Sequence, residues 1–258
     1  MQHLFAPEGE LALAQAMRQL PLLAFDFDGT LAPIVARAED ARLSAAVSAR
    51  LKALAERLPL AIVSGHSVAD VRSRLGFEPR FVLGNHGAED PQDPLASATR
   101  VQQLNGLRQR LRERLAELHA AGILVEDKGA SVALHYRLSR QREQALQLIG
   151  QILTPSDAAW HVFGGKMVVN VVPINAPDKA AAVHALVARC GAGCAVFAGD
   201  DVNDEPVFES APPHWLTIRI GRGDGRSRAR YFLDSPNEMA MLLERMRVLV
   251  PLPLPSGP

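Results

Sequence analysis

Residues 20–31, Leu-Pro-Leu-Leu-Ala-Phe-Asp-Phe-Asp-Gly-Thr-Leu, constrain this chain more than any other stretch. An apolar run of this length, closed by a glycine turn, reads as a fully buried strand of a parallel sheet. Its two carboxylates, Asp26 and Asp28, stand at the C-terminal end, where open α/β sheets bind ligands. Residues two apart in extended backbone point to one side, so both can face one site. Two like charges this close need a cation, a shared proton or a hydrogen-bond cradle. Gly29 and Thr30 add backbone amides and a hydroxyl at the turn, which suits an anion. A hard metal ion beside a phosphate satisfies both halves; a plain strand-to-turn junction satisfies the turn alone.

The bulk of the sequence narrows the partners. Lys+Arg 28 balances Asp+Glu 28, so no overall field favours nucleic acid or an anionic membrane, and any anion is caught locally. Cys190 and Cys194 do not make a disulfide framework. No apolar stretch reaches the roughly 18 residues of a membrane span, and the N-terminus lacks the pattern of a signal peptide. The expectation is a cytoplasmic protein, a monomer, acting on a small molecule.

Taken in order, the chain predicts a helix over 8–20, the strand, a helix over 43–58 with Ser44 on its polar face, a strand at 59–63, a helix at 68–75 and a strand at 81–83. This alternation implies a parallel sheet with helices on its faces. A polar, Pro-bearing segment at 90–93 reads as a linker. One long helix over 101–119, strands at 123–129 and 131–137, a helix over 139–153 and a hairpin turning at Gly164-Gly165 then follow, the order of a separate α+β unit. The first pattern returns with a helix opened by Lys179, a strand at 194–198 and another at 214–220. Ser235-Pro236-Asn237-Glu238 reads as a capping box for a last helix, and the Pro-rich tail 251–258 as extended or disordered. The fold class expected is α/β, a Rossmann-like core of residues 1–98 and 173–258 carrying an inserted α+β domain of residues 99–172.

Four groups fall at strand ends or a helix start: Asp26/Asp28, Ser64, Lys179 and Asp200/Asp201/Asp204. A parallel sheet brings its strand ends to one edge, so they can converge. Together they supply what phosphoryl transfer from a monoester needs. Asp26 can attack phosphorus, and Asp28 can shuttle a proton to and from the leaving oxygen. Ser64 and Lys179 can hold phosphoryl oxygens, and Asp200 with Asp26 can complete a Mg²⁺ shell. Taken singly, a serine such as Ser64 is more often a helix N-cap, and a lysine such as Lys179 more often a solvated first-turn residue.

In this combination, Asp26-Phe27-Asp28-Gly29-Thr30, Ser64-Gly65, Lys179 and Gly199-Asp200-Asp201-x-x-Asp204-Glu205 resemble the motifs of haloacid dehalogenase-superfamily phosphatases. The segments 85–89, 126–129, 133–137 and 165–169 resemble the trehalose-6-phosphate phosphatase family within it. The resemblance implies a Mg²⁺-dependent hydrolase whose inserted domain caps a disaccharide phosphate. It implies Asp26 as nucleophile, Asp28 as general acid/base and metal ligand through its carbonyl, Asp200 as metal ligand, and Asp201 and Asp204 nearby. It places Gly29, Thr30, Gly65, His66 and His86 around the substrate, with Glu126 and Lys128 on sugar hydroxyls. His135 and Arg137 are weaker candidates, since an alternating strand can present them to solvent, and His86 can equally be a turn histidine. Three positions depart from the family pattern: His66 stands where Arg is usual, Asn170 where a sugar-binding Glu is common, and Ala180 where Gly is common. These leave the hydrolytic apparatus intact and bear on the sugar. Beside trehalose 6-phosphate hydrolysis stand a phosphatase for another sugar phosphate, sucrose- or mannosyl-type, and a catalytically silent sugar-phosphate sensor.

Overall fold

The computed structural model describes residues 1–35, 41–154, 160–223 and 225–251; the Pro-rich tail from 252 onward lies outside the described residues. The chain divides into two compact units, Met1–Ser64, Ala69–Val82 and Lys179–Pro258 in the first, Gly65–Val68 and Leu83–Asp178 in the second.

The chain opens with β1 (Gln2–His3), α1 (Pro7–Arg18), β2 (Leu22–Phe25), α2 (Ala45–Ala55), β3 (Leu60–Val63), α3 (Val68–Leu75) and β4 (Phe81–Leu83). There follow α4 (Pro94–Gln103), α5 (Asn105–Glu113), α6 (Leu115–Ala120), β5 (Leu124–Asp127), β6 (Val132–His135), α7 (Arg142–Leu153), β7 (Trp160–Gly165) and β8 (Val168–Pro173). It closes with α8 (Lys179–Cys190), β9 (Ala195–Gly199), α9 (Glu205–Ser210), β10 (Leu216–Ile220), β11 (Tyr231–Leu233) and α10 (Met239–Leu249).

Seven strands form the first sheet in the order β1-β11-β10-β9-β2-β3-β4. The pairs of β2 with β3 and with β9 are parallel. β2, β3 and β9 are buried along their whole length, which is why they read as unbroken apolar runs rather than alternations. Helix α10 packs on both α1 and α2, and α8 packs on α9 and β2.

The second unit holds a four-stranded antiparallel sheet, β5-β6-β8-β7. Val132, Leu134, Val171 and Trp160 point from it into a core shared with Leu107, Leu111, Leu118 and Ile149 of the helices. The register places Glu126, Ala133, Asn170 and Phe163 in one cross-strand row, on the opposite face, because side chains alternate along a strand.

Several expectations need correcting. The long helix over 101–119 is three helices, since helical geometry lapses at Leu104 and again at Arg114, where φ is −112° and ψ 16°. Leu104 is buried at the first corner, and Arg114 pairs with Glu117 at the second. The segment 90–93 is a bonded helix entry rather than a slack linker: Asp93 caps α4 through Ala96 N–H, and Asp90 and Ser97 exchange hydrogen bonds. Ser44 is the cap of α2, accepting from Val47 N–H at 3.2 Å. The hairpin turns at Lys166-Met167, not at the glycines: Gly165 pairs with Val168 inside the ladder and Met167 takes the positive φ, 62°. Ser235 makes no side-chain cap, because the Glu238 carboxylate goes instead to Asp234 N–H and lies 3.3 Å from His3. Strands β1 and β11 and helix α9 are too short to show a period.

Candidate active site

Carboxylates far apart in the sequence come to one edge because of the strand order. β9, β2 and β3 are neighbours in the sheet, so the residues just past their C-terminal ends, Asp200, Asp26 and Ser64, share one edge. Asp26 extends the pairing by one rung, donating its N–H to Ala198 O at 2.9 Å. The chain then folds tightly: Leu31 and Ala32 donate to the Phe27 carbonyl, and Gly29 donates to Ala32 O. Gly29 sits at φ 80°, and a Cβ there would lie 2.2 Å from Asp200 Oδ2. Glycine is therefore required by conformation and by space. Thr30 Oγ1 is buried with no hydrogen-bond partner, a hydroxyl to spare in the turn between Asp28 and Leu31.

Lys179, at the first turn of α8, reaches into this edge. It is 3% exposed. Its ammonium donates to Asp26 Oδ1 at 2.6 Å and Asp204 Oδ1 at 2.7 Å. Asp204, fully buried, also accepts the N–H groups of Asp200 and Asp201 on Oδ2, both at 2.9 Å, and its bond to Asp201 is one half of a reciprocal capping box. Asp204, read from the sequence as merely nearby, is thus in direct contact with Lys179. The signal was present: a carboxylate three residues past Asp201 at a strand end fits a capping box.

Burial is the largest influence on Asp26 and pushes its carboxyl well above the usual range; Lys179 opposes that rise, while Asp204 and Asp200 add to it. For Lys179, burial works against the ammonium, but the charges of Asp204 and Asp26 outweigh it and hold the pKa above its ordinary value. The ammonium is thereby favoured, and more carboxyl groups gather here than one ammonium can pair. Carboxylate oxygens of Asp26, Asp200 and Asp204 lie within 4.8 Å of one another. An all-oxygen donor set of this kind suits a hard cation. Asp204 is committed to Lys179 and to backbone, so Asp26 and Asp200 are the pair that fits one. His3, Asp234 and Glu238 form the other close cluster among the described residues. There His3 Nδ1 accepts from Phe5 N–H, which leaves the proton on Nε2, toward the carboxylates, where a metal would need a lone pair.

The remaining sequence candidates divide. Ser64 is buried at the end of β3, and Asp28 is half-buried. Gly65, His66, His86, Glu126, Lys128, His135 and Asn170 belong to the second unit. There His135 Nε2 lies 2.8 Å from Glu126 Oε2, and Lys128 Nζ 3.5 Å from the same oxygen. The His135 hydrogen bond draws the Glu126 pKa down to about 2, with burial opposing and the charges of Lys128, His135 and His66 helping. Asn170 is buried on the same sheet face, between Ala133 and Phe163. Arg137 lies exposed beyond β6 and is not drawn into this group. His86 packs edge-on to Phe163 at 5.0 Å and sits so close to Gly65 that a Cβ there would meet its ring at 2.5 Å. Asn85 and His86 both adopt positive φ, 53° and 60°, a conformation that costs a non-glycine residue about 1–2 kcal/mol.

The sequence model described as Trehalose-phosphatase matches residues 24–237. The chain belongs to the trehalose-phosphatase family. It is 32% identical over 251 residues to the trehalose-phosphate phosphatase of Mycolicibacterium paratuberculosis, and 30% identical over 241 residues to that of Mycobacterium tuberculosis. Each alignment covers 88% of this chain but only 62% and 61% of the relative, so the chain spans about three-fifths of those proteins' length. Among solved structures, the C-terminal domain of C. albicans trehalose-6-phosphate phosphatase superposes with a TM-score of 0.75 at 20% identity, covering 93% of this chain and 96% of that one. The sucrose-phosphatase of Synechocystis sp. PCC6803, solved with sucrose and phosphate, gives 0.56 at 16% identity over 88% and 98%. These likenesses establish the fold of this trehalose-phosphatase family member as haloacid dehalogenase-like. No helix of the described residues is long and apolar enough to cross a membrane.

Proposed function

We propose that this chain is a Mg²⁺-dependent phosphatase that hydrolyses trehalose 6-phosphate to trehalose and phosphate through an aspartyl-phosphate intermediate, as a cytoplasmic monomer. The observation that carries the reading is the buried contact of Lys179 with Asp26 and Asp204 beside Asp200. It supplies a carboxylate nucleophile, a fixed positive charge and a second hard-oxygen ligand at one point. The Asp26 carboxylate attacks phosphorus as the bond to the sugar oxygen breaks, and Asp28 gives that oxygen its proton. Asp28 then takes a proton from water, which attacks the acyl phosphate and returns Asp26. Ser64 and Lys179 hold phosphoryl oxygens throughout. Asp26, Asp200 and the Asp28 carbonyl would hold Mg²⁺, which when bound offsets the charge of the nucleophile and phosphate together. The second unit serves as the sugar-reading domain, its Glu126, Lys128, His135 and Asn170 addressing hydroxyls.

A phosphate-release panel tests this. Trehalose 6-phosphate should exceed glucose 6-phosphate by about tenfold or more in kcat/KM. Equal rates would remove the trehalose assignment. Asn170, a neutral group where the family favours a carboxylate, supports a second reading, a phosphatase for sucrose 6-phosphate or a mannosyl ester; a higher rate on either would select it. Tight binding without release would indicate a sensor.

Two variants extend the test. Gly29→Ala places a methyl against Asp200; turnover should fall by about a hundredfold, with a raised Mg²⁺ requirement in a titration of phosphate release. Glu126→Ala should raise KM for the disaccharide phosphate by about tenfold and leave KM for p-nitrophenyl phosphate alone. Because the Glu126 pKa is drawn down to about 2, its carboxylate stays ionised in the folded protein, and the wild-type contact to hydroxyls should hold steady down to about pH 4 and weaken only as pH approaches about 2.

A further inference from the structure

The loop behind Ser64 and the sugar-facing strands are joined by two residues to which the proposed reaction gives no task. Asn85 is fully buried. Its N–H donates to the His66 carbonyl at 2.8 Å. Its side-chain amide donates to Glu89 Oε2 at 2.7 Å and to the Lys128 carbonyl at 3.2 Å, and its Oδ1 accepts from Ser131 Oγ at 2.5 Å. Glu89 Oε2 accepts a second bond, from Val68 N–H at 2.9 Å. One amide and one carboxylate therefore tie together segments 65–68, 84–89 and 128–131.

Each tied segment carries a group assigned above: Gly65 and His66 in the first, His86 in the second, Lys128 in the third. Lys128 closes the circuit, its ammonium donating to the Gly65 carbonyl at 3.1 Å. An amide is the neutral side chain that donates twice while accepting; an aspartate here would face Glu89 and the Lys128 carbonyl with no proton to give. The strained backbone of Asn85 and His86 is the kind that persists only where its surroundings over-determine it. A mere reversal of the chain asks only for positive φ, which glycine or asparagine supplies, and not for a buried side-chain amide with three bonds.

We propose that Asn85 and Glu89 are positioning residues for sugar recognition. They lock Lys128, His86 and the Gly65-His66 loop into one frame, so that the disaccharide is read by a preset geometry. This rests on the sugar-phosphatase reading above.

The test compares Asn85→Asp, Ser131→Ala, Glu89→Ala and Glu89→Gln with wild type on trehalose 6-phosphate and on p-nitrophenyl phosphate. In Asn85→Asp and Glu89→Ala, KM for the sugar phosphate should rise about tenfold while kcat on the aryl ester stays within about twofold. Glu89→Gln keeps an acceptor for Val68 and Asn85 and should restore the wild-type KM. Ser131→Ala removes one hydroxyl without charge and should give the same selective rise, about threefold, even if Asn85→Asp does not fold. Parallel losses on both substrates, or an unchanged sugar KM in the folded variants, would overturn the proposal. Wild type that prefers trehalose 6-phosphate alongside unaffected variants defeats the clamp alone. Wild type that cleaves only the aryl ester defeats the sugar reading and the clamp with it.

Discussion

Asp26→Asn should end phosphate release, a loss of about a thousandfold or more, while the protein stays folded. An amide cannot form the acyl phosphate, but its oxygen can still accept from Lys179. The effect on stability should run the other way. Burial holds the Asp26 carboxyl above its usual pKa, so the folded state binds this proton more tightly than the unfolded chain. Stability is then lost as pH rises from about 3.8 through the folded value. Asparagine removes that loss. In metal-free buffer its melting temperature should equal or exceed wild type near about pH 7.5, and the gap should close near about pH 4. Retained turnover would contradict the nucleophile; a sharply lower melting temperature at neutral pH would contradict the electrostatic account.

Lys179→Met should be the most destabilising of these substitutions. It strips the ammonium from Asp26 and Asp204, both buried. Breaking a buried pair by removing one partner costs about 3–5 kcal/mol, or roughly 6–20 °C in Tm for a chain of this size. Activity should vanish too, since the phosphoryl oxygens lose their fixed positive charge. The sign with pH is definite. Without Lys179 the Asp26 carboxyl loses the charge that opposes its raised pKa, so the variant loses stability as pH rises and regains it as pH falls and Asp26 takes up its proton. Thermal unfolding between about pH 4 and pH 8 checks this; a variant within a few degrees of wild type throughout would show that the three side chains are not coupled.

The convergence of Asp26, Ser64 and Asp200 was legible because it is made of strand ends. Asp26, Ser64 and Asp200 each follow an unbroken apolar run, and parallel order then converges them whatever their sequence distance. The second unit was less legible. Its sheet has one face on a core and one not, so its strands signal weakly, and the face of Glu126 and Asn170 emerges only from cross-strand register. Gly164 and Gly165 drew the hairpin turn toward themselves, because positive φ is read from glycine, whereas Met167 carries it. Asn85 entered only as the first residue of the segment 85–89; its value lies in partners from 65–68 and 128–131, which no local pattern announces. Phe163 was passed over because its neighbours His86 and Asn170 are likewise distant in the chain.

The central place of β2 in its sheet has a consequence for biosynthesis. One flank is filled by β3, made soon afterwards, but the other waits for β9, which starts at Ala195. A nascent chain still short of that point carries an open, wholly apolar edge, the sort of surface that invites pairing between chains. On the ribosome, then, the first unit cannot close until the inserted one has been translated, and a message truncated before Lys179 yields a sticky fragment in place of a weak enzyme.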